Sequence, residues 1–454
     1  PAAYVQGYGD GSTPFRYTET AAFVQDDWRV TSRLTAKAGL RYQRQQFPNF
    51  DVSVTGLGGA PLVYPYPLGD PHVSPRLAIA FDPAGDGRTS VHAAYGLFFG
   101  NQLTGVYGAT NVFGRASGTR LNVYTFPLSL AAWQQPSHQL PDGAIPAPHV
   151  TITVGPDAQT PRVHQASAGV VRDFGQGTAM GVETVYARGF HQLGALDYNP
   201  IIPALGPGRR PNDIGGVAGT SAPAAQYTDF GGTWYRGLLV SIQQRLGTER
   251  QVRLAYTWSS TEDNSSDTLG LVDANGLGRN PQDPNGLPVG FSPARERGPA
   301  ATDERHRLVV NGSSMLPGGL EMAALFSAAS GLPYTALAGA DLNGDGIADA
   351  DRARANPADP STAVPRGGER FNARITLDLR LARTFHAGSR ATVTTALDVF
   401  NVLNRANFSE VNGVFGTGSF PSQPLTDGQG RVTFGTYQKA RAPRQTQLAL
   451  RVAF

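Results

Sequence analysis

One pattern repeats along most of the 454 residues: a run of alternating apolar and polar positions, a short turn, a second alternating run, then a long connector rich in Gly, Pro, Asn and Asp. Alternation places every second side chain on the same side of an extended backbone, so each run reads as a β-strand with one apolar face. The first run covers about Thr20 to Val30 and turns at Thr31-Ser32-Arg33. It returns with Leu34, Ala36, Ala38, Leu40 and Tyr42 on one face against Thr35, Lys37, Gly39, Arg41 and Gln43 on the other. The same grammar recurs at Arg76 to Phe81 with Thr89 to Phe99, and at Val163 to Phe174 with Ala179 to Ala187. It continues from Leu238 through Gly247-Thr248-Glu249 to Trp258, from His306 through Pro317-Gly318-Gly319 to Ala329, and from Arg374 through Ala387-Gly388-Ser389 to Val399. A last run, about Arg444 to Phe454, stands alone, for a total of about thirteen strands.

The connectors sort into two kinds. Those inside the six hairpins are short, whereas those between hairpins are long, at about 48–72, 101–160, 190–231, 263–302, 331–370 and 404–440. Soluble domains rarely hold so many long irregular loops; a transmembrane barrel places short turns on its periplasmic side and long loops outside. The fold class predicted is all-β, an antiparallel transmembrane β-barrel with long extracellular loops and short periplasmic turns. The closing run ends Leu448, Leu450, Val452 and Phe454 on one face, with Gln447, Ala449, Arg451 and Ala453 on the other; apolar outside, polar inside and finished by an aromatic, it resembles the terminal strand and C-terminal signal of an outer-membrane barrel, whose apolar side would face lipid. If the first strand runs down to a short turn, every odd-numbered strand runs down, and Phe454 ends in the periplasm. An odd count conflicts with the even strand numbers of single-chain bacterial barrels. The expectation is therefore a C-terminal part of a larger barrel, with residues 1–19 the remnant of an extracellular loop and 20–454 the partial barrel. An open strand edge is not viable in lipid, so this part alone is not expected to work as a pore.

Composition narrows the alternatives. No stretch reaches the roughly 20 consecutive apolar residues of a helical membrane span, which leaves only strands to cross a bilayer. The chain has no cysteine, so disulfides, thiolate metal sites and thiol nucleophiles are out. A net charge of +3 with no basic run interleaved with aromatics argues against nucleic acid as a partner. The eight histidines form no HExxH and no pair at ligand spacing. Asp303-Glu304 with His306, or Glu262-Asp263, could serve as acid and base, but carboxylates are scattered through every loop and no Ser, His and acid arrangement carries a nucleophile-elbow signature. The sequence predicts no enzyme and requires no cofactor.

Several short segments resemble one family. Phe23-Val24-Gln25-Asp26-Asp27-Trp28-Arg29-Val30, then Arg33-Leu34-Thr35 and Gly39-Leu40-Arg41-Tyr42, are similar to the barrel signature of TonB-dependent transporters, particularly the Oar-like type. Ser74-Pro75-Arg76, Tyr95-Gly96-Leu97-Phe98-Phe99, Tyr256-Thr257-Trp258-Ser259 and Arg305-His306-Arg307-Leu308-Val309 follow in the family's order. Asp398-Val399-Phe400-Asn401-Val402-Leu403-Asn404, Asn407-Phe408 and Pro443-Arg444-Gln445-Thr446-Gln447 complete the set. The resemblance implies a barrel of about 22 strands around an N-terminal plug that contacts TonB, and in Oar-like members a carboxypeptidase-regulatory-like β-sandwich before it. The chain would supply the last thirteen or so strands. It implies location in the bacterial outer membrane and uptake or export of a large substrate. Its partners would be outer-membrane lipid, the barrel assembly machinery, the TonB system through the absent plug, and an unknown extracellular substrate. Two rivals stay open: a passive porin-like channel, and a surface adhesin or structural barrel. A soluble β-propeller is a further alternative, which predicts solubility without detergent and fails if the protein partitions with outer membranes.

Two sets of candidate site residues follow. Inward positions Lys37, Arg41, Arg253, Arg374, Asp378 and Arg380 are expected to line the lumen. In the loop after the fifth hairpin, Asp341, Asn343, Asp345 and Asp349 occupy the first, third, fifth and ninth places of a calcium loop, with Gly344 and Gly346 allowing a sharp turn. The twelfth place holds Arg352 where an EF-hand needs Glu, so the alternatives are a structural calcium ion and a solvated Asx-turn cluster. Trp28, Tyr42, Tyr256, Trp258 and Phe454 read as interfacial girdle residues.

Overall fold

In a computed structural model of the chain, thirteen strands pair in sequence order along one antiparallel path. They are β1 (Thr18–Arg29), β2 (Leu34–Gln46), β3 (His72–Phe81), β4 (Thr89–Phe99), β5 (Arg162–Gly175), β6 (Thr178–Asp197) and β7 (Ala224–Leu246), followed by β8 (Arg250–Asp263), β9 (His306–Leu316), β10 (Leu320–Ala329), β11 (Arg374–Ala387), β12 (Ala391–Phe400) and β13 (Gln445–Ala453). The structure describes the chain apart from residues 1–2, 9–14, 49–53, 56–60, 63–67, 102–103, 114–119, 126–150, 198, 200, 202–204, 220, 223, 248, 265–293, 295, 343–350 and 389–390. Among the described residues no helix is long and apolar enough to cross a membrane.

Register converts sequence alternation into two faces. Leu34, Ala36 and Ala38 of β2 stand opposite Phe81, Ile79 and Leu77 of β3, while Lys37 and Arg41 stand opposite Ala78 and Ser74. Leu397 of β12 meets Leu381 of β11 and Leu448 of β13, whereas Asp398 meets Arg380 and Gln447. One face of the wall is therefore a continuous apolar surface. Leu40, Leu77, Val182 and Leu448 on that face are 48, 54, 43 and 82% exposed. An exposed apolar surface of this extent is unstable in water and stable in lipid.

The hairpin turns use backbone conformations that only certain residues hold easily. Between β5 and β6, Gly175, Gln176 and Gly177 all have positive φ, at 80, 53 and 77°. A Cβ on Gly177 would collide with the Arg245 carbonyl oxygen as well, so glycine is required there twice over. The turn between β3 and β4 is instead held by Asp82, whose carboxylate accepts from the Gly85 and Gly87 N–H groups at 3.0 and 2.8 Å.

β6 and β7 are longer than their alternation suggests, with 20 and 23 residues, and reach well into the segment read from sequence as a loop. The register shifts between Gly189 and Gln192, around His191 at φ 57°, and that bulge breaks the period without ending the ladder. The protruding ends carry a small core. Leu193 and Tyr227 pack with Ile152 and Val154 of a short strand (Thr151–Val154) parallel to β7, with Leu68, and with Val106 of a helix, α1 (Thr104–Phe113). A second core joins the two loops nearest β13, where Phe415 packs with Ala336 and Ala353 against Val364, Phe420 and Phe434. The buried clusters thus sit among extracellular connectors, where water is the solvent, and the wall itself needs none.

Candidate functional site

The face opposite the exposed apolar surface carries all six residues expected inside. Lys37 Nζ pairs with Asp27 at 2.9 Å. Arg41 Nε donates to Gln43 Oε1 at 3.3 Å, and Gln43 Nε2 donates onward to Glu19 at 3.3 Å and Asn101 at 2.7 Å. Arg253 is exposed between Gln243 and Asn311. Arg374 reaches Glu304 at 2.8 Å, Asp378 accepts from the Asn401 N–H at 2.8 Å, and Arg380 Nη1 lies 3.1 Å from both oxygens of Asp398. The inner wall is thus a set of cross-strand charged and amide pairs, which keep most of these groups satisfied without a second protein layer. A cavity of about 250 Å³ indents it where Gly39, Ala78, Ala94 and Gly96 leave room beneath Gln25, Lys37 and Arg76. The Arg76 guanidinium lies over the Phe98 ring, 4.9 Å from its centre.

At the outer end, four arginines near the loop after β10 clasp the acidic groups beside β8 and β9. Arg352 pairs with Glu296 at 2.8 Å, Arg366 with Asp263, Arg370 with Asp303, and Arg374 with Glu304. Asp303 is completely buried and also accepts from Arg305 at 3.1 Å and from the Thr261 N–H at 2.7 Å. Burial pushes its carboxyl up, but the Thr261 N–H and the Arg370 and Arg305 guanidiniums outweigh that and hold it below the ordinary carboxylate value. The carboxylates singled out in the sequence as conceivable acids and bases are therefore each held by arginine, Glu262 included, through Arg297 at 2.7 Å. His306 is turned to the apolar face, where its Nδ1 lies 2.8 Å from the Tyr256 hydroxyl.

This clasp was not foreseen from sequence, because its partners lie up to 103 residues apart in irregular segments. Asn401, Asn404 and Asn407 acquire a role that spacing does not reveal. Asn407 accepts from the Ile375 N–H at 2.8 Å and donates to its carbonyl at 2.9 Å, continuing the β11 ladder with a side chain. Asn401 and Asn404, both at φ 48°, reverse the chain after β12, and Asn404 then accepts from the Arg444 N–H at 3.0 Å. Of the calcium-loop residues, only Asp341 is described; Asn343, Asp345 and Asp349 lie outside the described residues. Arg352, at the twelfth place, is buried and ion-paired with Glu296. Leu448, Leu450 and Val452 stand in a row on the apolar face of β13, and Phe454 follows fully exposed.

A family model described as an outer membrane beta barrel domain matches residues 1–447. The chain belongs to that family. It is a barrel wall of the bacterial outer membrane, and its apolar face is the lipid face. The outer membrane transporter YddB from Escherichia coli is similar in structure over 96% of this barrel chain, with a TM-score of 0.58 at 13% identity. A mutant of the ferric enterobactin receptor PfeA from Pseudomonas aeruginosa is similar over 96%, with a TM-score of 0.53 at 10% identity. The barrel chain spans 45% of the length of each. No curated protein matches it. Family and fold agree with the resemblance to receptor barrels drawn from the short motifs.

Proposed function

We propose that this barrel is the wall of a TonB-dependent outer-membrane transporter that moves a large solute across the outer membrane under energy supplied through TonB. The observation that carries the proposal is the asymmetry of the two ends. Short turns close the periplasmic end, while the extracellular loops fold into cores and clasp one another with buried ion pairs, an arrangement suited to capturing a solute above a charged lumen. The six inward residues Lys37, Arg41, Arg253, Arg374, Asp378 and Arg380 are, in this reading, the lumen lining. The pairing of Glu262, Asp263, Asp303 and Glu304 with arginine supports transport over catalysis. A metal chelate, a glycan or a peptide is the substrate class that such a lumen would admit. Growth on candidate solutes in strains lacking this gene, lacking TonB, or lacking both tests it. Loss of the same solute in all three supports the proposal; uptake that persists without TonB indicates a passive channel, and no uptake phenotype for any solute indicates an adhesin.

We further propose that the Asp341–Asp349 loop holds a structural calcium ion, on the spacing of its carboxylates and amide alone. Isothermal titration of the folded barrel with calcium is expected to show one site, and no heat at millimolar concentration sinks it.

A further inference from the structure

Two adjoining rows of inward positions build a shallow site on the inner wall from β1 to β5. Gln25, Gly39, Arg76, Gly96 and Gln165 stand side by side across the five strands, and Asp27, Lys37, Ala78, Ala94 and Ser167 form the neighbouring row, except that Asp27 and Gln25 begin them on β1. Gly39, Ala78, Ala94 and Gly96 carry at most a methyl group, so they leave a flat apolar floor between longer polar side chains. Phe98, two residues toward the extracellular end, closes one side of it. A Cβ on Gly96 would lie 2.7 Å from the Phe98 ring, so the ring takes its place there because residue 96 is glycine. The cavity over this floor, about 250 Å³, falls just short of the roughly 300–1,000 Å³ of sites for drug-sized ligands. It equals the volume of about eight waters at ~30 Å³ each, which is room for one planar ring with one small substituent.

Charge decides the substituent. Lys37 is neutralised by Asp27 at 2.9 Å, and on the same face Arg307 and Arg374 are held by Glu304 and Arg380 by Asp398. Among the described residues no acidic side chain pairs with Arg76. Its guanidinium rests over the Phe98 ring, a contact that steadies the cation without using the N–H donors at its edge. The floor therefore carries one positive charge in excess. It is presented as a fork of N–H groups that matches a carboxylate through two parallel hydrogen bonds. Gln25, Gln165 and Ser167 supply neutral polar groups around the margin. Arg253 also lacks an acidic partner, but it stands between the longer side chains of Gln243 and Asn311.

We propose that Arg76 and Phe98, above the floor of Gly39, Ala78, Ala94 and Gly96, bind a small aromatic monocarboxylate. The carboxylate takes the Arg76 fork, and the ring lies on the floor against Phe98. Binding here needs neither TonB nor a large solute, so its failure and the failure of the transport proposal are separate results. Fluorine NMR of the full chain in detergent, titrated with para-fluorobenzoate or with its uncharged counterpart para-fluorobenzamide, tests it. The acid is expected to bind saturably at millimolar concentration, and the amide about tenfold more weakly. Arg76→Gln should weaken the acid about tenfold, and Ala94→Leu, which keeps the charge but fills the floor, by as much. Arg253→Gln should bind it as the parent does. Equal binding of acid and amide overturns the proposal, as does an unchanged affinity in Arg76→Gln. An equal loss in Arg76→Gln and Arg253→Gln also overturns it, because the lumen would then attract anions without a site. If Ala94→Leu does not fold, as judged by far-UV circular dichroism, Arg76→Gln at its exposed position carries the comparison.

Discussion

Asp303 shows what a single buried side chain does for the extracellular end. Removing its carboxylate leaves Arg370 and Arg305 without their shared anion and the Thr261 N–H without an acceptor. Asp303→Ala should destabilise the loop contact by roughly 3 kcal/mol, the usual cost of breaking a buried pair from one side. Because the folded carboxyl titrates below 3.8, its stabilisation is complete above the ordinary carboxylate range and is lost only as pH falls through the lower, folded value. Hydrogen exchange of the segment around Arg366–Arg374, taken relative to the intrinsic rate at each pH, should therefore stay slow down to the ordinary carboxylate range and become faster as pH falls through the lower, folded value. In Asp303→Asn it should be fast throughout, and equal exchange in the two proteins would remove Asp303 from this role. Nothing in the sequence around Asp303 marks it for this part. Its charge is visible, but its partner Arg370 comes from a loop 67 residues further on. The asparagine turn after β12 is similar: its motif was legible as a resemblance, its hydrogen bonds only from the fold.

At the scale of the strand, legibility was high, and the reason is physical. A wall with lipid on one side and polar surroundings on the other must alternate at every residue, and the six hairpins obey this from Leu34 to Val399 with few interruptions. The one serious departure, the length of β6 and β7, lies above the membrane, where water reaches both faces and alternation is no longer enforced. The cysteine-free sequence makes a direct test simple. Single cysteines at Leu379 and at Arg380, neighbours on β11, should label oppositely. Position 380 should react with a water-soluble maleimide, and a nitroxide at 379 should be relaxed by dissolved oxygen in the lipid. Equal labelling of both would contradict the two-faced wall. Arg380 also holds Asp398, so Arg380→Lys with labelling at 378 serves as the check that the strand stays in register.

For the whole molecule, the division of labour between wall and loops follows from the solvent each one meets. The wall buries its apolar groups in lipid and holds together through the backbone ladder, while the loops, in water, form protein cores of their own around Tyr227 and Phe415. The same alternation that builds the wall has an effect before any wall exists. In β2 the lipid-facing leucines each favour hydrocarbon by about 0.5 kcal/mol, whereas Lys37, Arg41 and Arg44 each oppose it by about 3 kcal/mol. As an isolated extended segment the strand is thus rejected by a bilayer. A polypeptide written this way is not arrested in the first membrane it is threaded through; it travels on as a water-compatible chain and becomes lipid-seeking only once neighbouring strands have paired and sorted their side chains.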